Sequence, residues 1–163
     1  MGHEEHKHKS PDTVRCAVIT VSDTRDMKTD ESGKKICDML KQEDHEVVGY
    51  EIVKDEPGEL REVLEALEAE VYVLNGGTGI SERDVTPDVL REKIEKELPG
   101  FGEAFRRLSY EEIGSASILS RAFAGVSEGK IYFTIPGSTA AVELAMEKLI
   151  IPELGHMVYE VNK

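Results

Sequence analysis

The sequence predicts an α/β fold, a three-layer sandwich built on a mostly parallel sheet. Three observations predict it. Short β-branched runs alternate with helical apolar stripes from Val14 onward. Their β-α-β-α-β order implies parallel strands joined by right-handed crossovers. A glycine-rich stretch, Gly76-Gly77-Thr78-Gly79, joins one hydrophobic strand to a helix, and ligands of open parallel sheets bind just beyond the carboxyl ends of the strands.

Each element follows from its residues. Val14–Val21 reads as the first strand. Ile36, Met39 and Leu40 mark the first helix by their i, i+3, i+4 spacing, and Glu46–Val53 is the second strand. Pro57 stands where an N1 proline belongs, and Leu60, Val63, Leu64 and Leu67 form one face of the second helix. Val71–Leu74 is a short third strand. Past the glycines, Thr86, Pro87 and Asp88 read as N-cap, N1 and N2 of a helix carrying Val89, Leu90, Ile94 and Leu98, which Pro99-Gly100 stops. A short helical piece is expected around Phe105 and Leu108. Residues 113–125 are rich in Ser, Ala and Gly without a clear period, which predicts a loop with room for a helical turn. Lys130–Ile135 is the fourth strand, broken by Pro136-Gly137-Ser138. Ser138 is placed to cap a helix with Val142, Ala145, Met146 and Leu149 on its apolar face. A last helix is expected from Pro152, using Leu154, Met157, Val158 and Val161.

Length and charge narrow the function classes. A chain of 163 residues forms one compact domain here, expected over residues 13–163, which buries roughly 70% of its unfolded surface. Residues 1–12 read as a flexible polar tail in which His3, His6 and His8 have a spacing able to bind a transition metal. The net charge of −13 argues against nonspecific binding to nucleic acid or an anionic membrane, because both depend on basic patches. Cys16 and Cys37 lack the paired spacing of a zinc site and read as reduced core residues. No apolar run approaches a membrane span and no hydrophobic signal region opens the chain, so a cytoplasmic location is expected.

The chemistry concentrates at four strand ends. Glycines 76, 77 and 79 let the backbone approach a ligand closely, with a helix N-terminus directed at the same space. Asp84 is out of place beside such an anion-binding loop unless a cation bridges it to the ligand or it has a chemical task. Ser22-Asp23 follows the first strand, Asp55 the second, the Gly76–Asp84 loop the third and Pro136-Gly137-Ser138 the fourth. Topology therefore gathers Asp55 and Asp84 at one edge. Each residue also has a plain structural reading. Asp55 precedes Glu56-Pro57 and can cap a helix, Ser22-Asp23 and Pro136-Gly137 are ordinary turn pairs, and Arg83 and Arg121 can pair with surface carboxylates as readily as with phosphate. His45 is expected to be exposed, and His156 to lie at a surface or interface.

Gly76-Gly-Thr-Gly followed by Arg83-Asp-Val-Thr-Pro87 resembles the signature of the MoaB/MogA family of molybdenum cofactor biosynthesis. The resemblance runs from Val14 to Val161 and includes Val21-Ser-Asp-Thr-Arg25, Asp30-Glu-Ser-Gly33, Leu119-Ser-Arg-Ala122 and the Pro136-Gly-Ser138 break. It implies a Rossmann-like molybdopterin-binding fold, assembled as a homotrimer or hexamer, that adenylylates molybdopterin with ATP and Mg²⁺ and releases pyrophosphate. On that resemblance Asp55 and Asp84 are the catalytic and metal-binding acids. Ser22, Asp23, Gly76, Gly77, Thr78, Gly79, Arg83, Thr86, Ser120, Arg121, Pro136, Gly137 and Ser138 are the substrate-binding set. Other molybdenum cofactor biosynthesis proteins are expected partners. Two alternatives stand beside this one: a nucleotide pyrophosphatase of a related fold, and a noncatalytic molybdopterin carrier or scaffold.

Overall fold

The computed structural model describes residues 4–5 and 9–163; His3, His6 and His8 lie outside the described residues. One six-stranded sheet has the order β2-β1-β3-β6-β5-β4. Strands β1 (Arg15–Val21), β2 (Glu46–Val53), β3 (Val71–Asn75) and β6 (Lys130–Ile135) are parallel, and β5 (Phe123–Ser127) and β4 (Lys96–Glu97) complete the sheet antiparallel. Helices α1 (Glu31–Gln42), α4 (Pro99–Ile113), α5 (Thr139–Ala145) and α6 (Ile151–Asn162) cover one face with Ile36, Leu40, Phe105, Val142 and Leu154. Helices α2 (Pro57–Ala66) and α3 (Thr86–Lys93) cover the other with Leu60, Val63, Leu64, Val89 and Leu90. The three predicted layers are therefore present. Cys16 and Cys37 are buried free thiols, and burial pushes the Cys37 thiol up to about 11. Among the described residues no helix is long and apolar enough to cross a membrane.

Five local readings are corrected. Helix α3 ends at Lys93, because Ile94 turns extended and the amides of Glu95 and Leu98 bond to the carbonyls of Val126 and Ala124 across β4 and β5. Pro99 then starts α4 at N1, where its missing N–H costs nothing, so the expected stop signal is a start signal and the short piece is a 15-residue helix. The 113–125 loop holds its helical turn as the 3₁₀ segment Gly114–Leu119, but it ends early, because β5 begins at Phe123. A Glu128-Gly129 turn with both residues at positive φ joins β5 to β6 as a hairpin. Thr86 does not cap α3; Val85 holds the cap position, and the buried Thr86 hydroxyl donates to the Gly76 carbonyl at 3.0 Å. His45 is half-buried, accepting from the Val14 amide at 3.1 Å, and burial lowers its pKa.

The predicted cap at Ser138 is present, its hydroxyl accepting from Ala141 N at 3.2 Å. Helix α5 passes through a π turn, Met146–Ile150, directly into α6, so Pro152 lies in the first turn of α6 without breaking the chain's helical course.

Candidate active site

The sheet order reverses at β1. The chain goes from β1 outward to β2 and returns past β1 to β3, opening a crevice beyond the carboxyl ends of β1 and β3. A cleft of about 470 Å³ lies there, lined by Ser22, Asp23, Thr24 and Arg25 after β1, Asp55 after β2, Gly76, Gly77 and Asp84 after β3, and Gly137 after β6. All four strand ends contribute to it. A second cleft, of about 480 Å³, opens at the amino edge among Arg15, Glu68, Glu70 and Lys130. Its cations are already paired, Arg15 with Glu70 and Lys130 with Glu68, and it has no glycine loop, so the carboxyl-edge cleft is the candidate site.

Close packing explains the glycines. Gly76 and Gly77 have φ of 95° and 67°, and a Cβ on Gly76 would strike the Val21 carbonyl. A Cβ on Gly77 would meet Thr86 Oγ1 and come within 3.0 Å of Asp55 Oδ1, and one on Gly79 would sit 2.7 Å from Asp84 Oδ2. Asp55 and Asp84 thus flank the loop. The amides of Gly77, Thr78 and Gly79 have no acceptor among the described residues, and Thr78 is buried, where amides are almost always paired. The loop's own carbonyls are tied back. The Gly77 carbonyl accepts from Thr86 N at 3.2 Å, that of Thr78 from Arg121 N at 2.9 Å and that of Gly79 from Arg121 Nε at 2.7 Å.

The charged residues sort into frame and lining. Arg121 also donates to the Asp84 carbonyl and to the Asp88 carboxylate at 3.0 and 3.1 Å, so it braces the loop from behind. Arg83 donates to Asp23 and, at 3.4 Å, to Glu56. Ser120 accepts from Ala122 N at 3.3 Å, and Thr78 and Thr86 are buried in the loop. Ser138 caps its helix, half-buried Pro136 precedes Gly137, and Asp84 Oδ2 accepts from Ser81 N at 3.0 Å and Ser81 Oγ at 2.7 Å. Asp55 caps nothing; its amide donates to Asp23 Oδ1 at 3.1 Å and leaves its carboxylate at the cleft. Arg25 carried no assigned role in the sequence, yet it lines the cleft and donates to the Gly137 carbonyl at 2.9 Å. Its one signal was its place at the end of the Val21–Arg25 segment.

Electrostatics favour a cation beside the acids. Burial pushes the Asp55 carboxyl above its ordinary value, and the negative charges of Asp23 and Asp84 push the same way. Such a group gains from a nearby positive charge. The donors are all oxygens, which suits a hard divalent cation, and the cleft leaves room for water and phosphate oxygens. Among the described residues no cluster of three or more His, Cys, Asp or Glu is grouped to hold a metal alone. Mg²⁺ fits this donor set, because it binds through one or two carboxylates plus ligand phosphates and water.

The family described as "Probable molybdopterin binding domain" matches residues 17–156. The chain belongs to the MoaB/MogA family of molybdenum cofactor biosynthesis. Molybdenum cofactor biosynthesis protein B of Bacillus subtilis is 54% identical, over 100% of this chain and 99% of that one. A crystal structure of a molybdenum cofactor biosynthesis protein B superposes with a TM-score of 0.89 at 46% identity, over 94% and 98% of the two chains. The tungsten cofactor synthesizing protein MoaB from Pyrococcus furiosus gives a TM-score of 0.83 at 37% identity, over 94% and 100%. The MoaB/MogA membership carries a role in molybdenum cofactor biosynthesis and agrees with the α/β architecture.

Proposed function

We propose that this chain adenylylates molybdopterin. One observation carries the reading: Asp55 and Asp84 share a cleft with a glycine loop whose amides have no acceptor among the described residues. In the reaction an oxygen of the molybdopterin terminal phosphate forms a bond to the α-phosphorus of ATP. The bond from that phosphorus to its bridging oxygen breaks, and pyrophosphate leaves with the electron pair. No bond to the protein is required, so positioning and charge dominate; well-oriented reactants lose roughly 7–11 kcal/mol of barrier.

The residues then divide the work. The amides of Gly77, Thr78 and Gly79 donate to phosphate oxygens, as backbone nests do. Ser22, Asp23, Gly76 and Gly137 shape the walls, Pro136 and Ser138 flank Gly137 without lining the cleft, and Arg83, Thr86, Ser120 and Arg121 hold the loop and its surroundings in register. Asp55 and Asp84 would hold Mg²⁺, which when bound neutralises phosphate charge. The exposed Tyr110, Ile113, Ile118 and Leu119 offer an apolar surface for the expected trimer or hexamer, which a solution mass measurement decides.

Purified protein mixed with molybdopterin and Mg-ATP should release pyrophosphate and adenylylated pterin in equal amounts. Pterin binding without either product would make the chain a carrier. Pyrophosphate released from nucleotide without pterin would make it a pyrophosphatase.

A further inference from the structure

Beneath the cleft, and not lining it, Asp30 is fully buried at the cap of α1. Its Oδ2 accepts from Thr20 Oγ1 at 2.6 Å and from the Tyr50 hydroxyl, and its Oδ1 accepts from Gly33 N at 3.1 Å and lies 3.8 Å from Arg25 Nη1. Such a cluster leaves no room beside it. A Cβ at Gly33 would strike Asp30 Oδ2 and come within 2.5 Å of Thr20 Oγ1 and 2.8 Å of the Tyr50 ring. Gly33 is therefore required by the polar cluster and not by the helix it sits in.

Two chains of contact lead from Asp30 to the cleft. Thr20 has one proton, and it goes to Asp30, so the hydroxyl oxygen is free to accept from Asn75 Nδ2 at 2.8 Å. Asn75 is buried, immediately precedes Gly76, and keeps this orientation although its Oδ1 has no partner among the described residues. On the other side, Arg25 Nη2 and Ser32 Oγ both donate to the Gly137 carbonyl, at 2.9 and 2.6 Å. The two walls also touch, since a Cβ on Gly137 would lie 3.3 Å from Gly76 Cα.

We propose that Asp30 is a positioning residue for the cleft: through Thr20 and Asn75 it fixes the root of the Gly76–Gly79 loop, and through Arg25 the Gly137 wall. Its effect on turnover rests on the adenylyl-transfer reading, whereas its effect on loop order does not. A loop set wrongly by about 1 Å can cost on the order of 100-fold in rate.

Thr20→Val cuts the first chain at nearly constant volume, and Thr20→Ser restores the hydroxyl. Asp30→Asn is the direct variant, and the Thr20 pair decides the matter if that variant fails to fold. Amide hydrogen exchange, read at the loop-holding amides of Gly76, Thr86 and Arg121, which donate to the carbonyls of Ile135, Gly77 and Thr78, with α6 as internal control, should quicken about tenfold or more in Thr20→Val while α6 changes by less than about twofold. In the full reaction kcat should fall on the order of 100-fold with KM for ATP changed by less than about threefold, and Thr20→Ser should return both. Exchange that rises equally in the loop and in α6, or kcat that stays at the wild-type value, would reduce Asp30 to a fold-stabilising residue. If the wild-type protein makes no adenylylated product, the proposed function fails and the exchange measurement alone judges the positioning role.

Discussion

Arg83 donates twice to the carboxylate of Asp23, from Nε at 3.0 Å and from Nη2 at 2.7 Å. This pair joins the turn after β1 to the loop after β3, and the Arg83 hydrogen bond is the main reason the Asp23 carboxyl sits below its ordinary value. The guanidinium thereby places one positive charge among three acids. Arg83→Ala should tighten Mg²⁺ binding severalfold, since the cation no longer meets a like charge, and that gain should shrink with added salt. Calorimetric titration with MgCl₂ at low and high salt measures it; unchanged affinity would mean that Arg83 is too well solvated to be felt in the cleft.

Asp84→Asn should lower adenylyl transfer by on the order of 100-fold or more, the scale seen when one preorganised electrostatic group is lost. The fold should survive. Asn keeps an oxygen in the place where Asp84 Oδ2 accepts from Ser81 N and Oγ, so the turn retains its acceptor. Pyrophosphate release in saturating Mg²⁺, beside a thermal melt, separates the two effects. Near wild-type turnover would remove Asp84 from the mechanism.

What was legible in the sequence was what has a local cause. Ser22, Gly76 and Pro136 each follow a strand with a residue that breaks it, and Pro57 just past β2 opens the next helix, so the four parallel strand ends and their shared edge were readable from pattern alone. Strand β5 was not. Phe123 packs into one core and Ala124 into the other, so no polar face alternates, and its Gly125 is small because Ile94, just before β4, and the Lys96 carbonyl within it crowd the position. That cause lies far along the chain. Asp30 reads locally as a helix cap, and nothing near it shows that Thr20 and Tyr50 converge on the same carboxylate. Arg83 and Arg121 look alike in sequence, and only packing shows that the first joins loops across the cleft while the second braces the loop from behind.

Gly77→Ala should damage both stability and the site. At φ 67° a Cβ costs roughly 1–2 kcal/mol, before its contacts with Thr86 Oγ1 and Asp55 Oδ1. For a chain of this length that corresponds to about 2–8 °C in melting temperature. A larger loss of phosphate affinity should accompany it, because the added methyl displaces Asp55 as well as the loop. Melting curves and pyrophosphate binding to the variant check this; a normal melt with normal binding would show that the loop relaxes around the methyl group.

Asp55→Asn should stabilise the metal-free protein while lowering its turnover. Burial and the charges of Asp23 and Asp84 raise the Asp55 carboxyl above its ordinary 3.8, so the fold favours the protonated form. The stability this contributes is fully present below pH 3.8 and is lost as pH rises through the raised value, leaving an ionised and poorly compensated group at neutral pH. Asparagine is neutral throughout and keeps that contribution. The variant should therefore melt above wild type at pH 7 in EDTA, with the difference shrinking as pH falls toward 4. Adding Mg²⁺ should reverse the order, since the ionised acid gains a partner that the amide holds only weakly. A variant that melts below wild type in EDTA would show that the Asp55 carboxylate is compensated within the protein itself, and the cation would then have to be held by Asp84 and the ligand.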